Sequence, residues 1–362
     1  ITAGGSLAPP SSDQLIQAGD LLSTAMYPIA VIGANARNLL QPERLLEFIE
    51  AHEMPFATTT MAKGGINENH PLSIGCIERG CRQFQRQFLR RADLIIGIGY
   101  DMIEVEYEAW IGDLPLLHID IEAGVFESSV DVQAQVVGNL DKAVRQLGEV
   151  EAGTNDWLEQ DLADHRSAFN AALRPESQNF TPAQAIDVIR TVLPTDGILA
   201  FDVGAHTHQI AAQWVTPGRN KFLVTNGWSS MGFGLPAAIA AKLASPELPV
   251  VCVLGDGCFQ MTCGELAVAR RLGLSLPVVV LDDGWLGLMK VKQERNQMPV
   301  YNTALRTDSP DSPPAHYFGV PAIGVRDGQE LIASLTQALA SDGPTVIEAL
   351  VDVAQYDTTV FD

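Results

Sequence analysis

"PVVCVLGDG", residues 249–257, decides the fold of the second half of the chain. An apolar run rich in β-branched residues ends at a glycine, an acid and a second glycine, which is typical of a buried strand entering a tight turn. The same pattern returns in "LPVVVLDDG", residues 276–284, and 24 residues separate Gly257 from Asp282. That interval suits one helix and one strand, so the two runs are predicted to be neighbouring parallel strands.

Asp256 and Asp283 follow these two strands directly. Parallel strands deliver their carboxyl ends to one edge of a sheet, where two carboxylates can share a hard cation such as Mg²⁺ together with phosphate oxygens. Gly255 and Gly257 leave backbone N–H groups open to a phosphate, and a helix predicted to begin near Thr262 would direct its positive end there. An isolated Gly-Asp-Gly is also ordinary turn chemistry. The pair of loops together predicts a site for a metal ion and a diphosphate.

Strand and helix patterns alternate along the whole chain, which predicts an α/β protein with two doubly wound, mostly parallel-sheet domains in tandem. The first domain is predicted over residues 1–150 and the second over residues 181–362. A polar, partly helical linker is predicted over residues 151–180. Thr181 followed by Pro182 is typical of a helix start and opens the second domain.

Composition excludes several classes of function. The chain has 23 Lys and Arg against 44 Asp and Glu, a net charge of −21, which repels nucleic acid and anionic membranes. No apolar run approaches the ~20 residues that cross a bilayer, and the amino terminus lacks a secretion-signal pattern. Five cysteines without a Cys-x-x-Cys pair indicate reduced thiols and no zinc site. We therefore expect a soluble, cytoplasmic protein without nucleic-acid or membrane partners.

Longer stretches carry a family resemblance. FDVGAH (residues 201–206), TNGWSSMGFGLPAAIAAKLA (225–244), GDG and LDDGWLG together resemble the diphosphate-binding domain of thiamine diphosphate enzymes of the acetolactate synthase type. GANARN (33–38), TTTMAKGGINENHPLSIG (58–75) and HIDIE (118–122) resemble the central domain of the same family. The resemblance covers nearly the whole chain in the family's order.

The resemblance implies roles for individual residues. Asp256 and Asp283 would bind Mg²⁺ through side-chain oxygens, and Trp285 through its backbone carbonyl. Met231 would hold thiamine diphosphate in a bent form, while the carbonyl of Ser229 would accept the amine of its aminopyrimidine. The residues implied to contact the cofactor are Val203, Gly204, His206, Ser229, Met231, Gly255, Asp256, Gly257, Cys258, Asp283, Trp285 and Gly287. No catalytic acid or base is assigned within the chain.

The implied activity is decarboxylation or carboligation of a small 2-oxo acid, with thiamine diphosphate and Mg²⁺ as cofactors. Alternatives are a benzoylformate-type or oxalyl-CoA-type decarboxylase, a carbon–carbon lyase, or a non-catalytic relative that only binds the cofactor. Family members also carry an amino-terminal pyrimidine-binding domain, which these 362 residues lack. We expect that domain on a truncated segment or on another chain, activity only in its presence, and a homodimer or homotetramer.

Two departures from the family pattern stand out. Asp282-Asp283 replaces the usual Asn-Asn, which adds negative charge beside the diphosphate. Asp101 stands where flavin-binding relatives carry an arginine, and GANARN is an incomplete glycine pattern, so FAD binding is not expected. His118, in the same domain, reads as a strand-end histidine with a satisfied hydrogen bond.

Three site residues also have plain structural interpretations. His206 and His208 lie two apart on a predicted helix and do not share a face, which argues against a metal pair. Met231 alone would be read as core packing. Cys258 has no visible basic partner, which argues against a nucleophilic thiolate.

Overall fold

The computed structural model describes residues 7–101, 104, 110–216, 218–305 and 313–360. The contacts divide the chain into two compact units. The first unit contains residues 1–78, 82–170 and 215–219, and the second contains residues 79–81, 171–214 and 220–362. The outermost residues of the predicted domains, 1–6 and 361–362, lie outside the described part.

A six-stranded parallel sheet forms the centre of the first unit, in the order β3-β2-β1-β4-β5-β6. The strands are β1 Pro28–Ile32, β2 Phe56–Thr59, β3 Ser73–Ile77, β4 Leu94–Ile98, β5 Leu116–Asp120 and β6 Val132–Val137. The helices are α1 Ser12–Thr24, α2 Glu43–Ala51, α3 Arg82–Leu89, α4 Leu140–Gly148 and α5 Glu159–Ala172.

The side chains of β1 show why helices cover both faces of this sheet. Ala30 and Ile32 belong to one hydrophobic core, whereas Ile29 and Val31 belong to a second core on the opposite face. Successive residues of a strand point to opposite faces, so a strand that is apolar throughout must be covered on both sides.

The second unit contains a seven-stranded sheet in the order β11-β12-β13-β10-β9-β7-β8. Every pair is parallel except β11 with β12. The strands are β7 Ile198–Phe201, β8 Phe222–Leu223, β9 Val250–Gly255, β10 Leu276–Asp282, β11 His316–Tyr317, β12 Val320–Val325 and β13 Pro344–Leu350. The helices are α6 Pro182–Val192, α7 Ala205–Gln213, α8 Gly234–Ala244, α9 Asp256–Thr262, α10 Leu266–Arg271, α11 Gly287–Arg295, α12 Gly328–Leu339 and α13 Tyr356–Thr359.

The predicted helix start at Thr181 is confirmed. Its hydroxyl accepts a hydrogen bond from the N–H of Gln184 at 3.2 Å, and the Gln184 side chain accepts one from the N–H of Thr181 at 3.0 Å. Two mostly parallel sheets, each embedded in helices, confirm the predicted fold class. Among the described residues, no helix is long and apolar enough to cross a membrane.

The prediction for the segment after β9 is wrong in one respect. The helix was expected to begin near Thr262, but α9 begins at Asp256, directly after the strand. Gly255 serves as its extended N-cap, and an acidic residue in the first turn favours a helix start. A short 3₁₀ turn and α10 follow before β10 begins, so two helices occupy an interval that was predicted to hold one.

Candidate functional site

Three strand-to-helix connections, called loops below, carry the predicted site at one edge of the second sheet, and the one after β9 is the first turn of α9. They follow β7, β9 and β10, which are adjacent in the order β10-β9-β7. Gly255 of β9 pairs with Leu281 of β10, and Phe201 of β7 pairs with Val253 of β9. This register confirms the prediction that the strands preceding Asp256 and Asp283 are parallel neighbours.

Asp256 joins two of these loops through its carboxylate. One oxygen accepts a hydrogen bond from the N–H of Gly284 at 2.9 Å, and the other accepts one from the N–H of Gly257 at 2.8 Å. Burial, and then the nearby charges of Asp283 and Asp282, raise the pKa of Asp256 to about 8. A divalent cation at this edge would offset that repulsion and favour the ionised carboxylate.

Asp283 is fixed within its own loop. Its Oδ1 accepts a hydrogen bond from the N–H of Trp285 at 2.8 Å, and a Cβ placed on Gly287 would lie 3.1 Å from its Oδ2. The carboxylate therefore lies against the start of α11. The N–H of Leu286 donates to the carbonyl of Thr303 at 2.7 Å, which ties the loop to a further segment.

The set of possible metal donors is small. No cluster of three or more His, Cys, Asp or Glu side chains suited to a metal ion occurs in the described ranges. A metal ion held by Asp256 and Asp283 would need backbone oxygens, such as the carbonyl of Trp285, and oxygens of a bound ligand. That mixture of donors is typical of Mg²⁺ bound together with phosphates.

The His206 ring lies against glycine backbone of two loops, where no side chain intervenes. A Cβ placed on Gly204 would lie 2.8 Å from its ring, and a Cβ placed on Gly255 would lie 3.3 Å from it. The ring is only 4% exposed, hydrogen-bonds the backbone of Asp202, and leaves Nε2 without a partner among the described residues. Burial is the main cause that lowers the pKa of His206 to about 4. The side-chain-free backbone beside the ring leaves room for a phosphate group, to which Nε2 would donate once the bound anion favours a proton on the ring.

Cys258 and Val203 connect the loops after β9 and β7. The Cys258 thiol donates to the carbonyl of Val203 at 2.9 Å. Burial raises the pKa of this thiol well above its ordinary value, so the sulfur stays protonated and points to backbone. Any contact of Cys258 with a phosphate would have to use its backbone rather than its thiol.

Met231 and Ser229 belong to the loop that precedes α8. The Met231 Cε lies 3.4 Å from the position that a Cβ on Gly257 would occupy, and the side chain packs against the hydrophobic core. Its loop is thereby brought against the loop after β9. Ser229 adopts a left-handed backbone with φ of +46°, and its hydroxyl lies 3.5 Å from the carbonyl oxygen of Gly227.

Asp202 is a residue of this site that sequence reasoning missed. Its side chain is completely buried at the end of β7. Its two oxygens accept hydrogen bonds from the N–H groups of Val203, Gly232 and Gly234, at 2.8 to 3.1 Å. The carboxylate thus fixes the Met231 loop to the strand that leads to His206. The sequence does contain a signal for Asp202, since FDVG and LGDG both place an acid at the carboxyl end of an apolar run.

Comparison with known proteins assigns both halves of the chain to one family of enzymes. Residues 202–349 match the family described as "Thiamine pyrophosphate enzyme, C-terminal TPP binding domain", and residues 15–147 match "Thiamine pyrophosphate enzyme, central domain". The acetolactate synthase large subunit of Parasynechococcus marenigrum is 27% identical over 351 residues, which cover 94% of this chain and 56% of that protein. The acetolactate synthase of Arthrospira platensis is 28% identical over 357 residues, or 93% of this chain and 61% of that protein.

A third relative, the acetolactate synthase isozyme 2 large subunit of Escherichia coli, is 26% identical over 341 residues, or 93% of this chain and 62% of that protein. The chain therefore spans somewhat more than half the length of these relatives. The two matched regions lie in the order that the resemblance predicts. The resemblance to this family is therefore confirmed. The chain belongs to the thiamine pyrophosphate enzymes and contains their central and carboxyl-terminal domains.

Proposed function

We propose that this chain is part of a thiamine diphosphate- and Mg²⁺-dependent enzyme that decarboxylates a small 2-oxo acid and joins the product to a second one, as in acetolactate synthase. The supporting observation is the bond between Asp256 and Gly284, which holds two acidic loops together at one sheet edge. The similarity to acetolactate synthases from several organisms supports the choice of reaction.

The described residues fit both cofactors. Asp256 and Asp283 offer carboxylate oxygens. Burial, and then repulsion from the neighbouring carboxylates, raises the pKa of Asp256, and a divalent cation would relieve that repulsion. The buried, unpartnered Nε2 of His206 lies beside Gly204 and Gly255, where no side chain obstructs a diphosphate. We assign Mg²⁺ to Asp256, Asp283 and the Trp285 carbonyl, and the diphosphate to the glycine-lined backbone near His206.

Bound thiamine diphosphate would supply an electron sink for the electrons released when CO₂ leaves a 2-oxo acid. The chain's own residues would bind and orient it. Asp202 positions the loop that carries Ser229 and Met231, and Met231 packs against Gly257 beside the metal ligands. This arrangement would fix the cofactor ring relative to its diphosphate, so that reacting groups are held in proximity.

Further partners belong to the same proposal. The chain spans 56 to 62% of the acetolactate synthases it matches, and a pyrimidine-binding domain would complete the cofactor site. We propose that this domain comes from the same gene product or from another chain, in a homodimer or homotetramer.

Calorimetric titration of thiamine diphosphate, with and without Mg²⁺, tests the binding part of the proposal. We expect binding that requires Mg²⁺ and is lost in Asp256→Ala. A CO₂-release assay with pyruvate on the full-length gene product tests the reaction. Binding without turnover of pyruvate or other 2-oxo acids would identify a cofactor-binding relative without this activity, and the absence of binding would refute the cofactor assignment.

A further inference from the structure

A crevice separate from the candidate cofactor site lies in the first unit, at the carboxyl ends of β4 and β5. Its volume is about 520 Å³. Buried Tyr100, His118 and Asp120 form part of its wall, and the segment of residues 122–127 forms another part. In sheets of this type, ligands bind beyond the carboxyl ends of the strands, near the point where the strand order reverses, here between β1 and β4.

The usual position for a phosphate in such a sheet is already filled. The turn after β1 offers the N–H of Ala34, and the carboxylate of Glu104 accepts it with both oxygens, at 2.9 and 2.8 Å. The same carboxylate also accepts hydrogen bonds from the Thr59 hydroxyl at 2.6 Å and from the N–H of Asp101 at 3.1 Å. An anion from solution would have to displace this internal one.

The backbone around that turn is also closed. A Cβ placed on Gly33 would lie 2.3 Å from the carbonyl oxygen of Gly99, and one placed on Gly99 would lie 2.4 Å from the nitrogen of Ala36. The turns after β1 and β4 are therefore packed backbone to backbone. No space remains between them for the pyrophosphate of a dinucleotide such as FAD.

The negative charge of the crevice favours the binding of cations. Asp101, Asp120, Glu122 and Glu127 all line it, and the described lining residues include no lysine or arginine. Burial is the largest cause that raises the pKa of Asp120, as expected for a carboxylate held away from water. The lining would repel a phosphate and attract an ammonium or guanidinium group.

His118 gives an independent sign of a ligand. The residue is 1% exposed, and its Nε2 lies 2.9 Å from the carbonyl oxygen of Tyr100. A carbonyl only accepts, so Nε2 carries a proton, and in the tautomer with a single ring proton Nδ1 is an acceptor. That Nδ1 is buried and has no hydrogen-bond partner among the described residues. A ligand that brings an N–H donor into the crevice would satisfy it.

Aromatic surface completes the site. The Phe126 ring stands edge-on to His118, with ring centroids 5.0 Å apart, and Tyr100 also lines the crevice. The Tyr100 hydroxyl already accepts a hydrogen bond from the Trp110 indole at 2.6 Å, so the ring is held in place. Rings of this kind attract cations and pack against an alkyl chain.

From these observations we propose that the crevice of the first unit binds a small organic cation, a primary amine or a guanidinium on a short carbon chain, and not a nucleotide. The carboxylates would hold the charged group, His118 would accept one of its N–H donors, and Phe126 would cover its carbon chain. This site is separate from the thiamine diphosphate site and does not depend on the function proposed for it.

The test is calorimetric titration of the whole chain, without Mg²⁺, using agmatine as the probe because it carries both an ammonium and a guanidinium. We expect one agmatine per chain. Replacing the exposed carboxylates in the double variant Glu122→Gln with Glu127→Gln should weaken binding by about tenfold. The double variant Glu43→Gln with Glu149→Gln removes the same two charges outside the crevice and should change affinity by less than about twofold.

Competition separates a cation site from a nucleotide site. ADP or FAD added to the agmatine complex should leave the agmatine affinity unchanged. Displacement of agmatine by either nucleotide would overturn the proposal, since the crevice would then accept a phosphate-bearing ligand. Absence of agmatine binding, or equal effects of the two double variants, would overturn it as well.

Discussion

The carboxylate of Asp256 accepts a hydrogen bond from the backbone N–H of Gly284 at 2.9 Å, which joins the loops following two adjacent strands. The loop that contains Gly284 also carries Asp283, whose charge contributes to raising the pKa of Asp256. The chain thus holds two like charges together in a partly buried place, which is unfavourable without a cation. The geometry that destabilises the metal-free loops is the geometry that would favour Mg²⁺.

The raised pKa of Asp256 predicts how Mg²⁺ affinity depends on pH. With a pKa of about 8, the carboxyl group of the metal-free protein binds a proton that Mg²⁺ must displace at neutral pH. Between pH 6 and pH 8, the apparent affinity should rise by up to about tenfold per pH unit. Calorimetric Mg²⁺ titrations at three pH values in that range measure this change, and an affinity independent of pH would contradict it.

The same shift predicts the stability of the metal-free protein. The pKa of Asp256 is higher in the folded state than its ordinary 3.8, so its contribution to stability is complete below pH 3.8 and is lost as pH rises towards about 8. The free energy of unfolding should fall over that range in the wild type, and by less in Asp256→Asn, which does not titrate. Saturating Mg²⁺ should reduce the fall at its upper end. Parallel slopes for wild type and variant in urea unfolding would show that another group dominates.

Asp283→Asn tests whether the second carboxylate is needed as a charge or only as an oxygen donor. An amide keeps an oxygen for the metal and removes the larger of the two repulsions that act on Asp256, leaving that of Asp282. Mg²⁺-dependent binding of thiamine diphosphate should therefore be retained or become tighter. Asp283→Ala removes the oxygen as well and should weaken binding by about tenfold or more. A large loss in the asparagine variant would show that the second negative charge is required.

Much of this site could be predicted from the spacing of residues in the sequence. The runs 249–257 and 276–284 are apolar for long enough to be buried strands, and the interval between them makes adjacent parallel pairing the simplest arrangement. Register between β9 and β10 confirmed that pairing. The helix start at Asp256 could not be read in the same way, because a Gly-Asp-Gly sequence suits either a turn or the first residues of a helix.

Local sequence patterns could not predict the contacts between segments that are distant in sequence. Asp202 bonds to Gly232 and Gly234, some thirty residues away, a contact that depends on the loop before α8 packing beside β7. The position of His206 over Gly255 likewise depends on β7 and β9 being neighbours. Sequence reasoning identified both segments but could not state how they contact each other.

Asp202→Asn tests the carboxylate that positions the Met231 loop. An amide cannot accept hydrogen bonds on its nitrogen, so either the N–H of Val203, which bonds Oδ1, or the N–H of Gly234, which bonds Oδ2, would lose its partner in a buried place. The free energy of unfolding should fall by about 2 to 4 kcal/mol. Hydrogen exchange at Val203 or Gly234 should accelerate more than exchange in β9. The exposed Asp342→Asn is a matched control and should leave both measurements unchanged.

Gly204→Ala tests whether the backbone beside His206 must be free of side chains. The new Cβ would lie 2.8 Å from two atoms of the His206 ring, so the ring would have to move away from its position over the loop. Inorganic pyrophosphate with Mg²⁺ is a suitable probe, because it reports on the diphosphate position without a pyrimidine-binding domain. Its affinity should fall by about tenfold, which corresponds to about 1.4 kcal/mol of binding free energy.

The control for that variant is Gly343→Ala, because a Cβ at Gly343 meets nothing within 4 Å and the residue precedes β13, at the start of a strand rather than at its carboxyl end. Pyrophosphate affinity should be unchanged in this control. If Gly204→Ala bound pyrophosphate as tightly as the wild type does, the ring of His206 would not limit the ligand. The diphosphate would then have to be assigned to the backbone after β9 alone, where Gly255 and Gly257 flank Asp256.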